Sequence, residues 1–344
     1  MLRGAVIGCG FFAANQINAW RDIAEAEIVA LCDLDGERLR EAGRRFGIGR
    51  LYQDAARLFA DERLDFVDIA TTVSSHRPLV ELAARHGVPT ICQKPFAATP
   101  DDAQAMVAAC AAAGVPLMVH ENFRWQTPIR AIRHMIDSGR IGEVFWGRIS
   151  FRSAYDVFSG QPYLAAGERF IVEDLGIHML DIARFLFGDV ASLAARTRRV
   201  NQAIRGEDAA TMLLGHESGA TSIVDCSYAS RLEAEPFPET LVEVDGSLGT
   251  IRLRQGYEMI VIDRDGTDRL DVAPPLLPWA QPPWHAIQES VLAIQRHWIE
   301  CLRTDREPAT SGRDNLRTLA LVEATYRSAA AGRTVALAEP ASGL

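Results

Sequence analysis

Lysine is almost missing from this chain of 344 residues: Lys94 is the only one, and the remaining basic residues are all arginine. Arginine is effectively always protonated, whereas a lysine pKa moves with burial and neighbours. A lone lysine is either chance or a position that needs a transferable proton, and its neighbours decide between the two. Positive charge is also scarce overall, with 36 basic against 45 acidic side chains and a net charge of −9. That balance argues against a general nucleic-acid or anionic-membrane binder. Long apolar runs are absent as well. No uninterrupted stretch reaches spanning length, and Leu2–Ile7 reads as a strand with no basic leader or cleavage site before it. Paired cysteines are missing too. Cys9, Cys32, Cys92, Cys110, Cys226 and Cys301 form no CxxC pair and mostly sit among apolar or small residues, so they read as reduced, small hydrophobes. His86, His134, His216 and His297 show no ligand-like clustering and read as surface or interface residues. The expectation is a cytoplasmic protein with no nucleic-acid partner, no membrane partner and no metal site.

What is present is ordinary globular material, 48% hydrophobic and 24% charged, at a length that suits two domains. Through the first 120 residues, short apolar strands alternate with helices. Strands are expected at Leu2–Ile7, 26–33, 66–70, 88–92 and 115–119. Helices are expected at 12–20, 35–46, 54–59, 77–86 and Pro100–Ala113, the last opened by Thr99-Pro100 and stopped by Gly114. This alternation predicts a doubly wound parallel sheet covered on both faces. Past residue 125 the pattern changes. A helix at 128–138 leads into a long strand at 144–153. A helix at 174–187 follows, then strands at 194–200, 209–215, 221–228, 240–244, 250–253 and 258–262, separated by Gly-containing turns. Two helices, 286–303 and 313–330, close the chain. The fold class expected is an α/β Rossmann domain over residues 1–121, followed by an α+β domain over 122–344 with a large, mostly antiparallel open sheet.

Three motifs carry chemistry. Gly8-Cys9-Gly10-Phe11-Phe12-Ala13 joins a strand to a helix in the GxGxxG/A pattern. Its glycines permit a tight turn and the close approach of a pyrophosphate to a helix N-terminus. Asp33 ends the second strand, where a carboxylate accepts hydrogen bonds from ribose hydroxyls and repels a 2′-phosphate, favouring NAD over NADP. Gln93-Lys94-Pro95 follows another parallel strand, so the sole lysine lies at the sheet edge where ligands bind. Asp174-Leu-Gly-Ile-His178-Met-Leu-Asp181 opens a helix in the second domain. A carboxylate at i,i+4 from an imidazole can orient it and raise its basicity, and Asp181 is a second candidate for that role.

Together with Thr71, Thr72 and His76 after the third main strand, these elements resemble the Gfo/Idh/MocA family of nicotinamide-dependent sugar and cyclitol oxidoreductases, over nearly the whole chain. That family usually has Glu-Lys-Pro where this chain has Gln93-Lys94-Pro95. The change removes a negative charge beside Lys94. The stretches FFAANQINAW, ICQKPFA and MVHENFRWQ resemble one aldose-oxidising branch of the family. The resemblance implies NAD-dependent oxidation of a cyclic aldose such as D-apiose to a lactone, with Lys94, Asp174 and His178 catalytic. It places Gly8, Gly10, Phe11, Phe12, Asp33, Thr71, Thr72, His76, Gln93 and Lys94 at the cofactor, and Asp174 and His178 at a small sugar or polyol. Asn122, Arg124, Arg152 and Asp156, polar residues near these landmarks, are candidates for sugar hydroxyl contacts, with Arg124 or Arg152 alternatively binding a carboxylate of a sugar acid. Gln161, Phe158, Tyr163, Trp284 and His285 are further candidates for contacts near the sugar or cofactor. It also implies a homodimer or homotetramer. Two alternatives stay open: a cyclitol (myo-inositol-type), other polyol or sugar-acid dehydrogenase, and a non-catalytic NAD-binding sensor or scaffold.

Overall fold

The computed structural model describes residues 1–337. The chain forms two compact units. One comprises Met1–Asn122 with Val291–Leu316, and the other Phe123–Ser290 with residues 317–337.

The first unit is built on six strands: β1 (Leu2–Ile7), β2 (Ala26–Cys32), β3 (Arg50–Tyr52), β4 (Phe66–Ile69), β5 (Thr90–Gln93) and β6 (Leu117–His120). They lie in the order β3-β2-β1-β4-β5-β6, and every pairing is parallel. β4, β5 and β6 are buried along their whole length, which explains why they read as largely apolar and do not alternate with exposed positions. The helices are α1 (Ala13–Arg21), α2 (Gly36–Phe46), α3 (Ala55–Asp61), α4 (His76–Arg85) and α5 (Pro100–Ala113). Their ends follow local chemistry. Asp35 accepts hydrogen bonds from the backbone N–H groups of Glu37 and Arg38 at the start of α2, Asp54 accepts from Ala56 at α3, and Thr99 accepts from Asp102 at α5. Strand order reverses between β1 and β4, and in such sheets the crevice at that point takes the ligand.

The second unit holds α6 (Thr127–Asp137), α7 (Ile177–Phe187) and a nine-stranded sheet. Its strands are β7 (Val144–Arg152), β8 (Val190–Arg198), β9 (Ala209–His216), β10 (Thr221–Ser227), β11 (Leu241–Gly246), β12 (Gly249–Leu253), β13 (Glu258–Asp263), β14 (Gly266–Asp271) and β15 (Val335–Ala336). All neighbours are antiparallel except β7 and β10. β7 alternates: Gly147, Ile149 and Phe151 are buried, while Arg148, Ser150 and Arg152 point to the opposite face. The buried face takes α7, with the Phe187 ring lying where a Cβ on Gly147 would be. Residues Ile177 to Arg184 are all buried, so α7 is a core helix. Two closing helices, α8 (His285–Thr304) and α9 (Gly312–Ala331), carry residues of both units.

Several details differ from the sequence reading. β3 and β14 were not expected. β3 is a three-residue strand, and β14 is exposed throughout. β8 begins four residues before the expected start at 194. Residues 172–176 form a π turn leading into α7, where a regular helix was expected. His216, read as a surface or interface residue, is buried, with its ring nitrogens on the Gly188 carbonyl and the Ser222 hydroxyl. Residues 291–316, placed by the sequence reading in the second domain, group with the first unit. Cys32, Cys92, Cys110, Cys226 and Cys301 are buried free thiols, and Cys9 is half-buried.

Candidate active site

In the first unit the expected cofactor residues gather at the carboxyl ends of β1, β2, β4 and β5. Gly8 follows β1 with φ of +99°, and a Cβ there would lie 2.8 Å from the Ala70 backbone carbonyl. Only glycine fits this turn. Around Gly10 a Cβ would meet nothing within 4 Å, which leaves the space a diphosphate needs. Ala13, the last residue of the motif, is buried, and no side chain caps the start of α1. Phe11 is 59% exposed on this loop. Phe12 turns inward, edge-on to His120 with ring centroids 6.2 Å apart. Asp33 is held by two backbone donors, Cys9 N–H at 2.7 Å and Asp35 N–H at 2.8 Å, so its carboxylate is fixed just past β2. A glycine turn with open space and a fixed carboxylate after the next strand suit a dinucleotide.

Thr71 and Thr72 follow β4, and the Thr71 hydroxyl accepts from Ser75. His76 is fully buried, and its ring nitrogens lie 3.1 Å from the Phe96 carbonyl and 3.2 Å from the Thr71 carbonyl. Burial lowers its pKa. His76 thus ties the loop after β4 to the segment after Lys94-Pro95. Gln93 ends β5, and its side-chain oxygen accepts the Lys94 backbone N–H at 2.6 Å. Lys94 itself is half-buried. Asn122, the last residue of this unit's first segment, is buried two residues beyond β6.

In the second unit Asp174 sits on the π turn and His178 on the first turn of α7. Glu207 pins the turn. One of its carboxylate oxygens accepts from the N–H groups of Phe170 and Val172 and from the Tyr326 hydroxyl, while its carbonyl accepts from Ile171 N–H. Gly176 permits the wide turn, because a Cβ there would lie 3.3 Å from the Ile171 carbonyl oxygen. His178 is 4% exposed and stacks on Phe123. Arg124, expected at the substrate, is buried in a two-pronged ion pair with Asp181 and stands over the Phe185 ring. Asp181 is therefore engaged by arginine.

The remaining candidates do not all gather near His178. Arg152 lies on the sheet face opposite α7, paired with Asp225 alongside Arg148. Asp156 is exposed and caps its own loop. The Ser159 hydroxyl and the N–H groups of Ser159 and Phe158 hold its pKa below the usual carboxylate range. The Tyr163 hydroxyl donates to Gln161, and Phe158 packs on Phe170. Trp284 joins an aromatic cluster with Phe237 and Tyr155, and His285 lies edge-on to Tyr257. Sequence reasoning missed Phe123 and Glu207. Both act through contacts far along the chain; Phe123 lies within the MVHENFRWQ stretch, but nothing in that stretch singles it out, and Glu207 carries no motif signal.

Comparison with known proteins agrees with this architecture. Residues 2–121 match the family model described as oxidoreductase family, NAD-binding Rossmann fold, and residues 129–252 match the GFO/IDH/MocA C-terminal domain. The chain is 69% identical to D-apiose dehydrogenase of Paraburkholderia graminis, over 97% of this chain and 89% of that protein. It is 65% identical to D-apiose dehydrogenase of Rhizobium rhizogenes, over 97% of both. A crystal structure of an oxidoreductase from Agrobacterium radiobacter in complex with NAD+, L-tartaric acid and magnesium superposes with a TM-score of 0.96 at 65% identity, covering 97% of this chain and 98% of that one. The chain belongs to the Gfo/Idh/MocA family of oxidoreductases, with an NAD-binding Rossmann domain at its N-terminal end.

Proposed function

We propose that this enzyme oxidises the cyclic aldose D-apiose at its anomeric carbon to the lactone, with NAD as acceptor. The observation that carries the proposal is the 65–69% identity, over nearly the whole chain, to two proteins named D-apiose dehydrogenase. The presence of Lys94, Asp174 and His178 in this chain supports it, since a silent NAD-binding scaffold has no use for that set. The glycine turn at Gly8 and Gly10 and the carboxylate of Asp33 hold the dinucleotide, with Thr71, Thr72 and Gln93 at the neighbouring strand ends. NAD, when bound, accepts the hydride from the sugar carbon.

The chain's own residues handle the proton. His178 takes it from the anomeric hydroxyl, Lys94 stabilises charge on that oxygen or relays the proton, and Asp174 polarises the site. Asn122 contributes to sugar recognition. The enzyme is cytoplasmic and works as a homodimer or homotetramer. Supporting the oligomer, the sheet face opposite α7 carries exposed Leu213 beside the Arg148–Asp225–Arg152 cluster.

The test is NADH formation with D-apiose, other aldoses, myo-inositol and sugar acids. Preferred turnover of D-apiose is expected. Preference for myo-inositol would install the cyclitol reading, and NAD binding without turnover on any of them would install the scaffold reading. Lys94→Ala and His178→Ala should each lower kcat by roughly 10²-fold or more. Asp33→Ala should raise the KM for NAD strongly and narrow the gap to NADP.

A further inference from the structure

The imidazole of His178 also has a close neighbour outside its own motif. The ring lies flat on Phe123, with centroids 3.9 Å apart and planes 6° from parallel. Phe123 is 5% exposed and belongs to a short 3-10 turn, Phe123–Trp125, just before α6. The next residue ties that turn to α7: Arg124 Nε donates to Asp181 Oδ2 at 2.6 Å, and its Nη2 donates to Oδ1. Asp181 and His178 are one helical turn apart, so the ion pair joins the Phe123 turn to the stretch of α7 that bears the imidazole. Asp181 is held from α9 as well. Thr318 Oγ1 donates to it at 3.2 Å while accepting from Arg184 at 2.9 Å.

Stacking suits a proton acceptor. An aromatic plane against one face of the imidazole restricts its second torsion, excludes water from that face and leaves the two nitrogens at the ring edge for hydrogen bonding. A base must also be held close to its productive direction, because small misplacements are costly in rate.

We infer that Phe123 is a positioning residue for His178, and that the Arg124–Asp181 pair is the clasp that keeps Phe123 in register with it. The inference rests on His178 being the proton acceptor in sugar oxidation.

The experiment compares wild type, Phe123→Leu, Phe123→Tyr and His178→Gln with NAD and either D-apiose or D-apiose deuterated at C1. Phe123→Leu should keep the KM for NAD while kcat falls roughly tenfold or more. Its deuterium isotope effect on kcat should rise as the chemical step becomes slower. Phe123→Tyr, which restores a ring, should recover most of kcat. If the leucine variant does not fold, Phe123→Met carries the same expectation. Wild-type kcat in Phe123→Leu with an inactive His178→Gln would overturn the positioning role and leave the reading of His178 standing. Equal loss of kcat in the leucine and tyrosine variants would also overturn it, because the ring plane would then not matter. Wild-type turnover in His178→Gln would remove the reading of His178 itself, and the inference with it.

Discussion

The two units place their functional side chains by different means. In the first, position comes from the backbone. Gly8, Asp33, Thr71 and Gln93 each stand at or just past the end of a parallel strand, and the hydrogen bonds that fix Asp33 come from backbone N–H groups. In the second, position comes from side chains that meet across long stretches of sequence. His178 rests on Phe123, Arg124 reaches Asp181, and Thr318 closes the set from α9. A site set by the backbone tolerates change in its surroundings but not in its turns. A site set by side chains fails when one member is removed, and it leaves little trace in a local motif.

The largest expected effect breaks the side-chain network. Arg124→Ala leaves Asp181, which is fully buried, without its arginine. Loss of one partner of a buried pair costs about 3–5 kcal/mol, read as a lower urea midpoint. A fall below about 1 kcal/mol would mean that this unit relies on its clasp far less than its geometry suggests.

The second prediction concerns the first unit's exception to backbone control. Asp68 on β4 is fully buried between Trp20 Nε1, which donates at 2.8 Å, and Gln16 Nε2 at 3.3 Å. Burial pushes its carboxyl up to about 7 against the opposing pull of the Trp20 hydrogen bond. A folded-state pKa raised above the unfolded value means the native state holds the proton more tightly. The Asp68 contribution is therefore most favourable below the unfolded pKa near 3.8 and is lost as pH rises through about 7. The loss is on the order of 4 kcal/mol. Asp68→Asn should flatten that part of the stability–pH curve, and an unchanged curve would exclude Asp68 as its source.

Gly8→Ala tests backbone control directly. It forces a Cβ into the Ala70 carbonyl at a positive φ, for about 1–3 kcal/mol, and should also weaken NAD binding in a titration. The smallest effect is expected at a helix end. Asp54→Ala removes one cap at α3 and should cost about 1 kcal/mol, with no change in NAD affinity.

The same contrast explains what was legible in the sequence. α5 was read with its observed limits, because Thr99, Pro100 and Gly114 signal both ends locally. The buried strands of the parallel sheet announce themselves as apolar runs. β3 has only three residues on a sheet edge, and β14 is a polar, exposed edge strand whose one signal is the Asp265-Gly266 turn. The motif at Asp174 and His178 was visible, but the π turn beneath it was not, because the glutamate that pins it lies more than thirty residues further on. Arg124 was noticed as a polar residue just after the last strand of the first domain. Its pairing with Asp181, 57 residues away, could not be read from neighbours in sequence.

Lys94 has a consequence for measurement. A chain with one lysine, grown on 15N-labelled lysine, yields a single side-chain nitrogen signal. The chemical shift of that signal followed against pH is a titration curve for Lys94 alone, free of overlap from any other amine of its kind. Ionisation of this residue beside a neutral Gln93 can thus be watched directly in the intact protein, with and without NAD and sugar.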